Sequence, residues 1–288
     1  MWALTGTPIE RSAEDLAVLL SLLAPNKFSA KGSSNRAILK SEADPFILRR
    51  LKSDVLKELP DVIESKESIE LTPIQQHAYR KAQSQPLTKN WSDTLQRLTL
   101  LRGICDIEKE SGESSKIDRI IEILNSVREH NEKAIIFSHL LHPLDSLRNR
   151  LNKANPSFKS ELLTGAISTN ERQDIIRRFK SDESTHVLLC SSRVGGEGLT
   201  LTEANHVIFL NEWWNPSTNN QARDRVVRIG QERVVQVHKF RCINTVEEVL
   251  ERILVTKTEL FANVIDGLAE NPKEATLLME ELWSHVQS

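Results

Sequence analysis

From Ser115 onward the chain alternates between two spacings of apolar residues. Ile117, Ile120, Ile121, Leu124 and Val127 recur every three or four positions and mark an amphipathic helix. Strand 133–138, helix 143–154, strand 160–164 and helix 169–180 follow, then strands 187–191 and 206–210, helix 217–229, strand 234–242 and helix 246–265. Ser168 and Glu171, three residues apart, predict a capping box at the head of the 169–180 helix. Strands that alternate with helices in this way specify an α/β fold, a doubly wound parallel sheet with helices on both faces. The pattern before residue 115 is different. Helical spacing is legible around 13–24, 73–84 and 91–105, separated by irregular stretches such as Lys27 to Asn35. That part reads as a largely helical segment with loops, and the organisation divides near 115.

The helix predicted at 217–229 carries the densest chemistry. Helical offsets put Gln221, Asp224, Arg225 and Arg228 on one face and an apolar stripe of Ala222, Val226 and Ile229 on the other, facing inward. Two arginines one turn apart, beside a carboxylate and a carboxamide, suit a phosphate gripped by planar forks. A surface helix with an internal Asp–Arg pair is the plainer reading. It leaves unexplained the Trp213-Trp214-Asn215-Pro216 run just upstream and the Gly195-Gly196-Glu197-Gly198 cluster that follows strand 187–191. Glycines after a strand let backbone amides approach an anion, although a tight connection to the next element has the same composition.

Composition narrows the possibilities. The chain has 288 residues, of which 39% are hydrophobic and 27% charged, enough for one large or two modest domains with a real core. Its formal net charge of −2 lacks the basic signature of an obligate nucleic-acid binder, so any contact with DNA must come from a local patch. Three cysteines, Cys105, Cys190 and Cys242, form no CxxC pair, which argues against a zinc site and for reduced thiols. No metal ligands are expected in this chain. The longest apolar run, Leu16 to Ala24, is too short to span a bilayer, and the amino terminus has no secretion-signal pattern.

Gln221 to Gln231, QARDRVVRIGQ, resembles at every fixed position the final motif of the chromatin-remodeller-type (Snf) branch of superfamily 2 helicases, which are ATP-driven double-stranded DNA translocases. The block Asn211-Glu212-Trp213-Trp214-Asn215-Pro216 is similar to that family's DxxWNP motif, with Asn in place of the leading acid. Leu4-Thr5-Gly6-Thr7-Pro8 looks like the LTGTP motif that closes the first motor lobe. Phe46 to Val55 with Glu58-Leu59-Pro60 resembles the LRRxKxDVxxxLP segment between the lobes, and LTLLRGIC at 98–105 resembles an LxxLRQIC helix. KAIIFS at 133–138 and SSRVGGEGLTL at 191–201 correspond to motifs of the second lobe.

The resemblance implies an end of the first motor lobe plus a helical inter-lobe segment over 1–114, a RecA-like helicase C-terminal domain over 115–266 and a helical tail over 267–288. It implies ATP with Mg as the cofactor and double-stranded DNA as a partner. Arg225 and Arg228 take the catalytic role of stabilising the γ-phosphate. Gln221, Gly196, Glu197 and Gly198 border the nucleotide, and Ser138, Gly195, Trp214, Thr5 and Thr7 meet DNA. For Ser138 a simple turn hydroxyl is an equal reading. His139 stands where the family more often has Gln.

The residues missing from the chain matter too. No glycine is followed by Lys-Ser or Lys-Thr, the end of a Walker A loop, and the lone Asp-Glu pair, Asp182-Glu183, falls in a turn instead of ending an apolar strand. The phosphate loop and the metal ligands are therefore expected from an N-terminal motor lobe, in the same parent chain or in trans, and the chain alone is expected to be inactive. Met1 directly before a core strand suggests a truncated product, a split gene or a fragment. A non-catalytic DNA- or partner-binding module is the second reading, and an RNA helicase a weaker third. The expected location is cytoplasmic, with the nucleoid, or nuclear, and not in a membrane.

Overall fold

The computed structural model describes residues 3, 13–29, 43–48, 58–85, 91–154, 158–191, 199–213, 216–252 and 255. Its centre is a sheet of six strands: β1 (Val62–Ile69), β2 (Ala134–Ser138), β3 (Lys159–Leu163), β4 (Thr185–Ser191), β5 (His206–Phe209) and β6 (Val235–Cys242). They run in the order β1-β6-β5-β2-β4-β3, and every pairing is parallel. Parallel strands need crossovers, and helices supply most of them. The helices are α1 (Ala13–Leu23), α2 (Pro73–Gln83), α3 (Trp91–Asp106), α4 (Ser115–Glu129), α5 (Leu141–Ala154), α6 (Thr169–Ser181) and α7 (Pro216–Arg223). Residues 246–252 are helical after β6.

The central strands β2, β4 and β5 are buried at every position, so their sequences AIIFS, THVLLCS and HVIF show little alternation. On one face Ile136, Leu189 and Ile208 meet Ile117, Ile120, Leu124 and Val127 of α4 and Leu144, Leu147 and Leu151 of α5. On the other, Ile135, Leu188 and Val207 meet Ile175 and Phe179 of α6 and Ala222 of α7. Two cores back to back on one sheet are the doubly wound arrangement expected from the alternation. Each fully buried Ile or Leu contributes roughly 1.5–3 kcal/mol of transfer free energy. A third cluster joins Tyr79 of α2 and Leu101, Ile104 and Cys105 of α3 to Cys242, Val246 and Val249. The helical segment thereby docks against the far end of β6. All three cysteines are free and buried.

Strand β1 was not foreseen. The sequence VIESKESI has no apolar period, and the segment before 115 was expected to be helical and looped. The strand pairs with β6 along all eight of its residues. It lies at the sheet edge, where charged side chains blunt an exposed ladder. Its charges are matched across space: Glu64 to Lys239 at 2.8 Å, Glu67 to Arg119 at 2.7 Å and Lys66 to Glu251 at 3.4 Å. The sheet thus recruits a strand from upstream of the division at 115.

Capping also differs from expectation. The Ser168 hydroxyl accepts from the Glu171 amide at 3.3 Å, which is half of the predicted box. The complete box sits at Thr72 and Gln75, at the head of α2. Gln75 is fully buried and also donates to the Ile104 carbonyl at 2.7 Å while accepting from the Ser115 amide at 3.1 Å. One carboxamide therefore ties together α2, the end of α3 and the start of α4. Among the described residues no helix is long and apolar enough to cross a membrane.

Candidate functional site

The predicted helix 217–229 stops at Arg223. The amides of Arg225 and Val226 bond back three residues, to Ala222 and Arg223, where a helix needs a four-residue step. The Arg225 carbonyl accepts from the Leu201 amide at 2.9 Å and so leaves the helical ladder. Asp224, Arg225 and Arg228 consequently lie on a turn, not on a helical face. The expected inward stripe changes as well: Val226 is fully buried, Val227 is 6% exposed, and Ile229 is 63% exposed. Gly230 closes the turn at φ 96°, which glycine adopts without a Cβ clash. Beyond it Gln231 is buried, donating to the Ala204 carbonyl at 2.6 Å and accepting from the Arg233 amide at 3.0 Å. That glutamine anchors the turn against the segment that feeds β5.

On this turn Gln221 and Arg228 are exposed and Arg225 is half-buried. Burial first, and then the neighbouring Arg228, lowers the proton affinity of the Arg225 guanidinium, with Asp224 opposing. The two arginines thus share one turn, though by a different backbone route from the predicted helix. Arg228 reaches the Leu199 carbonyl at 3.4 Å, directly after the glycine-rich segment. Asp224 meets Arg223 at 3.4 Å.

The second cluster gathers where β2 and β5 end. Ser138 was expected, on one of two readings, to touch a DNA phosphate. Its side chain is instead fully buried, donating to the Leu140 carbonyl at 2.8 Å and accepting from the Leu140 amide at 3.1 Å and from Asn211 at 2.8 Å. The hydroxyl closes a turn and has no face toward solvent, so the turn reading replaces the contact. Asn211 is 3% exposed, and its amide also donates to Asp106 at 2.5 Å. Its oxygen accepts from the His139 backbone at 2.8 Å and makes a short contact with His139 Nδ1. Burial first, and Arg102 next, push His139 down to about 3, against the bond to Asn211. The ring is neutral at physiological pH.

Residues 212 and 213 are braced too. Arg102 donates to the Glu212 carbonyl at 2.7 Å, and the Glu212 carboxylate meets Lys239 at 3.1 Å. The Trp213 amide donates to Asn219 at 2.9 Å while the Asn219 amide returns to the Trp213 carbonyl at 2.8 Å. The half-buried Trp213 ring sits edge-on to His139, 5.5 Å between centroids.

Sequence reasoning missed the buried ion triad behind this cluster. Lys116 is fully buried, with Asp106 at 2.9 Å and Glu247 at 2.5 Å. Burial alone pulls its ammonium down, but Asp106 and Glu247 overcome that and hold it well above the ordinary lysine value. Cys105, Cys242 and Glu247 bring one ligand atom each within 4.8 Å of one another. Glu247 already serves Lys116, and a dication beside that ammonium is disfavoured. The only signal for the triad was a lysine in the apolar face of α4. Of the expected site residues, Thr5, Thr7, Gly195, Gly196, Glu197, Gly198 and Trp214 lie outside the described residues.

The parallel order, the helices on both faces and the chemistry beyond β2 and β5 define a RecA-like helicase lobe. Residues 1–136 match the SNF2-related domain family and residues 115–230 the helicase conserved C-terminal domain. A putative ATP-dependent helicase/translocase of Bacillus subtilis is 32% identical over 98% of this chain and 34% of its own length. The CHROMATIN REMODELING 5 protein of Arabidopsis thaliana is 30% identical over 86% of this chain and 17% of its own. A Sulfolobus solfataricus SWI2/SNF2 ATPase core solved with double-stranded DNA is 31% identical, with TM-score 0.62, covering 98% of this chain and 66% of that one. The C-terminal domain of the Sulfolobus SWI2/SNF2 ATPase is 29% identical, with TM-score 0.60, over 78% of this chain and 98% of that one. The chain belongs to the SNF2-related helicases and corresponds to their C-terminal part. It spans about a third of the Bacillus relative and less of the Arabidopsis one.

Proposed function

We propose that the chain is the C-terminal part of a motor that hydrolyses ATP to move along double-stranded DNA. The carrying observation is that Arg225 and Arg228 share one braced turn, with the exposed Arg228 reaching the Leu199 carbonyl directly after the glycine-rich segment. In the assembled motor these guanidinium groups stabilise the charge that develops on the γ-phosphate, with Gln221, Gly196, Glu197 and Gly198 bordering the nucleotide. Gly195, Trp214, Thr5 and Thr7 follow the DNA. The N-terminal motor lobe supplies the phosphate loop and the carboxylates that hold Mg. Residues 1–114 then serve as the end of that lobe and the inter-lobe segment, 115–266 as the C-terminal lobe, and 267–288 as a tail. Work on DNA places the protein with the nucleoid or in a nucleus.

The chain alone is expected to release no phosphate from MgATP, with or without duplex. In the two-lobe enzyme Arg225→Ala or Arg228→Ala is expected to lower turnover by about three orders of magnitude or more, as loss of an arginine finger does. DNA affinity without nucleotide stays near the parent's. Lost DNA binding with intact turnover per bound enzyme makes these arginines backbone contacts and refutes the assignment. Turnover by the chain alone refutes the division of labour.

A further inference from the structure

The loop that leaves β5 is held from behind by α3. Arg102 and Asp106 stand one helical turn apart, and both reach across to it, Arg102 to the Glu212 carbonyl and Asp106 to the Asn211 side chain. Asn211 is the hub, because it joins Asp106, Ser138 and His139 in one buried carboxamide. Its orientation is not arbitrary. A backbone N–H can only donate, so the oxygen faces His139 and the nitrogen must face Asp106 and the Ser138 hydroxyl. A carboxylate at 211 has no proton for Asp106 and sets two acids against each other in a buried site. Lys116 is already shared between Asp106 and Glu247.

Next along the chain, Glu212 is pinned at its carbonyl by Arg102 and at its carboxylate by Lys239. Trp213 is pinned at both backbone polar groups by Asn219, and its ring rests against the same His139 that Asn211 orients. Three successive residues are thus fixed by side chains from α3, β6 and α7 and from the turn after β2. Asn219, which holds Trp213, belongs to α7, the helix that runs into the arginine turn. Trp214 follows at once.

We propose that Asn211, with Arg102 and Asp106 of α3, is a positioning clamp that sets the 211–213 loop, and that this loop leads into the chain's DNA contact at Trp214. The second half rests on the proposed DNA role of Trp214, and the first half does not. The clamp ties the position of α3 to that of the loop that precedes Trp214.

The test uses the full chain labelled with 5-fluorotryptophan, with the Trp213 and Trp214 fluorine signals assigned from Trp213→Phe and Trp214→Phe. Asn211→Asp is compared with the exchanged pair Asp106→Asn/Asn211→Asp, which restores one carboxylate facing one carboxamide. Fluorine spectra, thermal melts and anisotropy of a labelled DNA duplex are read on each. Asn211→Asp is expected to shift or broaden both tryptophan signals and to weaken duplex binding at least tenfold, and the exchanged pair to recover both. Arg102→Met, which removes the donor to the Glu212 carbonyl and leaves Asn211 and Asp106 in place, is expected to move the same signals less, and it carries the test if Asn211→Asp does not fold. Unmoved signals in both single variants overturn the clamp, as does a loss of duplex binding without any change at Trp213. Signals that move and recover while duplex binding stays constant keep the clamp and remove the DNA role of the loop.

Discussion

Replacing Lys116 by Met tests what the buried triad does for the fold. Lys116 and Asp106 have no exposed side-chain surface and Glu247 has 10%, so the ammonium has no water to replace it when removed. The methionine fills the space but leaves two carboxylates facing one another. Breaking a buried ion pair by removing one partner costs about 3–5 kcal/mol. For a domain of this class that is a fall in Tm of roughly 6–20 °C. The pH dependence gives the sharper signature. Lys116 is held above its ordinary value in the fold, so its stabilisation is complete below the unfolded lysine pKa and is lost only as pH climbs through the folded value. It therefore adds no slope between pH 5 and 8 in the parent. In Lys116→Met one carboxylate is raised by the other. That group costs nothing below its unfolded pKa, and stability is lost as pH rises toward its folded value. The gap between variant and parent should thus be wider at pH 8 than at pH 5, and Lys116→Met/Glu247→Gln should narrow it at pH 8. Melts and urea titrations at both pH values read this out. A variant within about 1 kcal/mol of the parent at both, the range of ordinary substitutions, refutes the reasoning.

Three further outcomes follow from the geometry. His139, pushed down to about 3, and His238, pushed down to about 4 by burial first and His206 next, are held neutral while an unfolded histidine takes up a proton near 6.5. Their contribution is complete above 6.5 and lost as pH falls toward the folded values, so His238→Gln should flatten the fall in Tm between pH 6.5 and 4.5, and an unchanged slope counts against it. Ile229→Ser should change stability by no more than about 0.5 kcal/mol, whereas Val226→Ser, at a fully buried position, should lower Tm clearly; equal losses would restore the continuous helix. Trp213→Ala should lower Tm, by less than the about 3–5 kcal/mol of a fully buried aromatic because Trp213 is half-buried, while Trp214→Ala should leave the melt in place and weaken duplex binding; the reverse pattern exchanges the two roles.

The sequence by itself determined the alternating α/β lobe. Strands such as AIIFS and VLLC are apolar throughout because both of their faces are covered, and α4 carries its period openly in Ile117, Ile120, Leu124 and Val127. It also determined the family, since the run from Gln221 to Gln231 depends on residue identity and spacing alone. Tertiary structure decided what local pattern could not. β1 is a strand because β6 offers it a free edge and Lys239, Arg119 and Glu251 neutralise its charges, all of them distant in sequence. The helix after Pro216 ends early because the Leu201 amide captures the Arg225 carbonyl, which brings Val227 inward and leaves Ile229 outside. Ser138 is buried because Asn211, 73 residues later, folds over it. The Lys116 triad and the Asn211 hub each join elements about a hundred residues apart, and no local period records a partner at that distance. Periodicity reports which side of an element is covered; only the assembled fold decides by what.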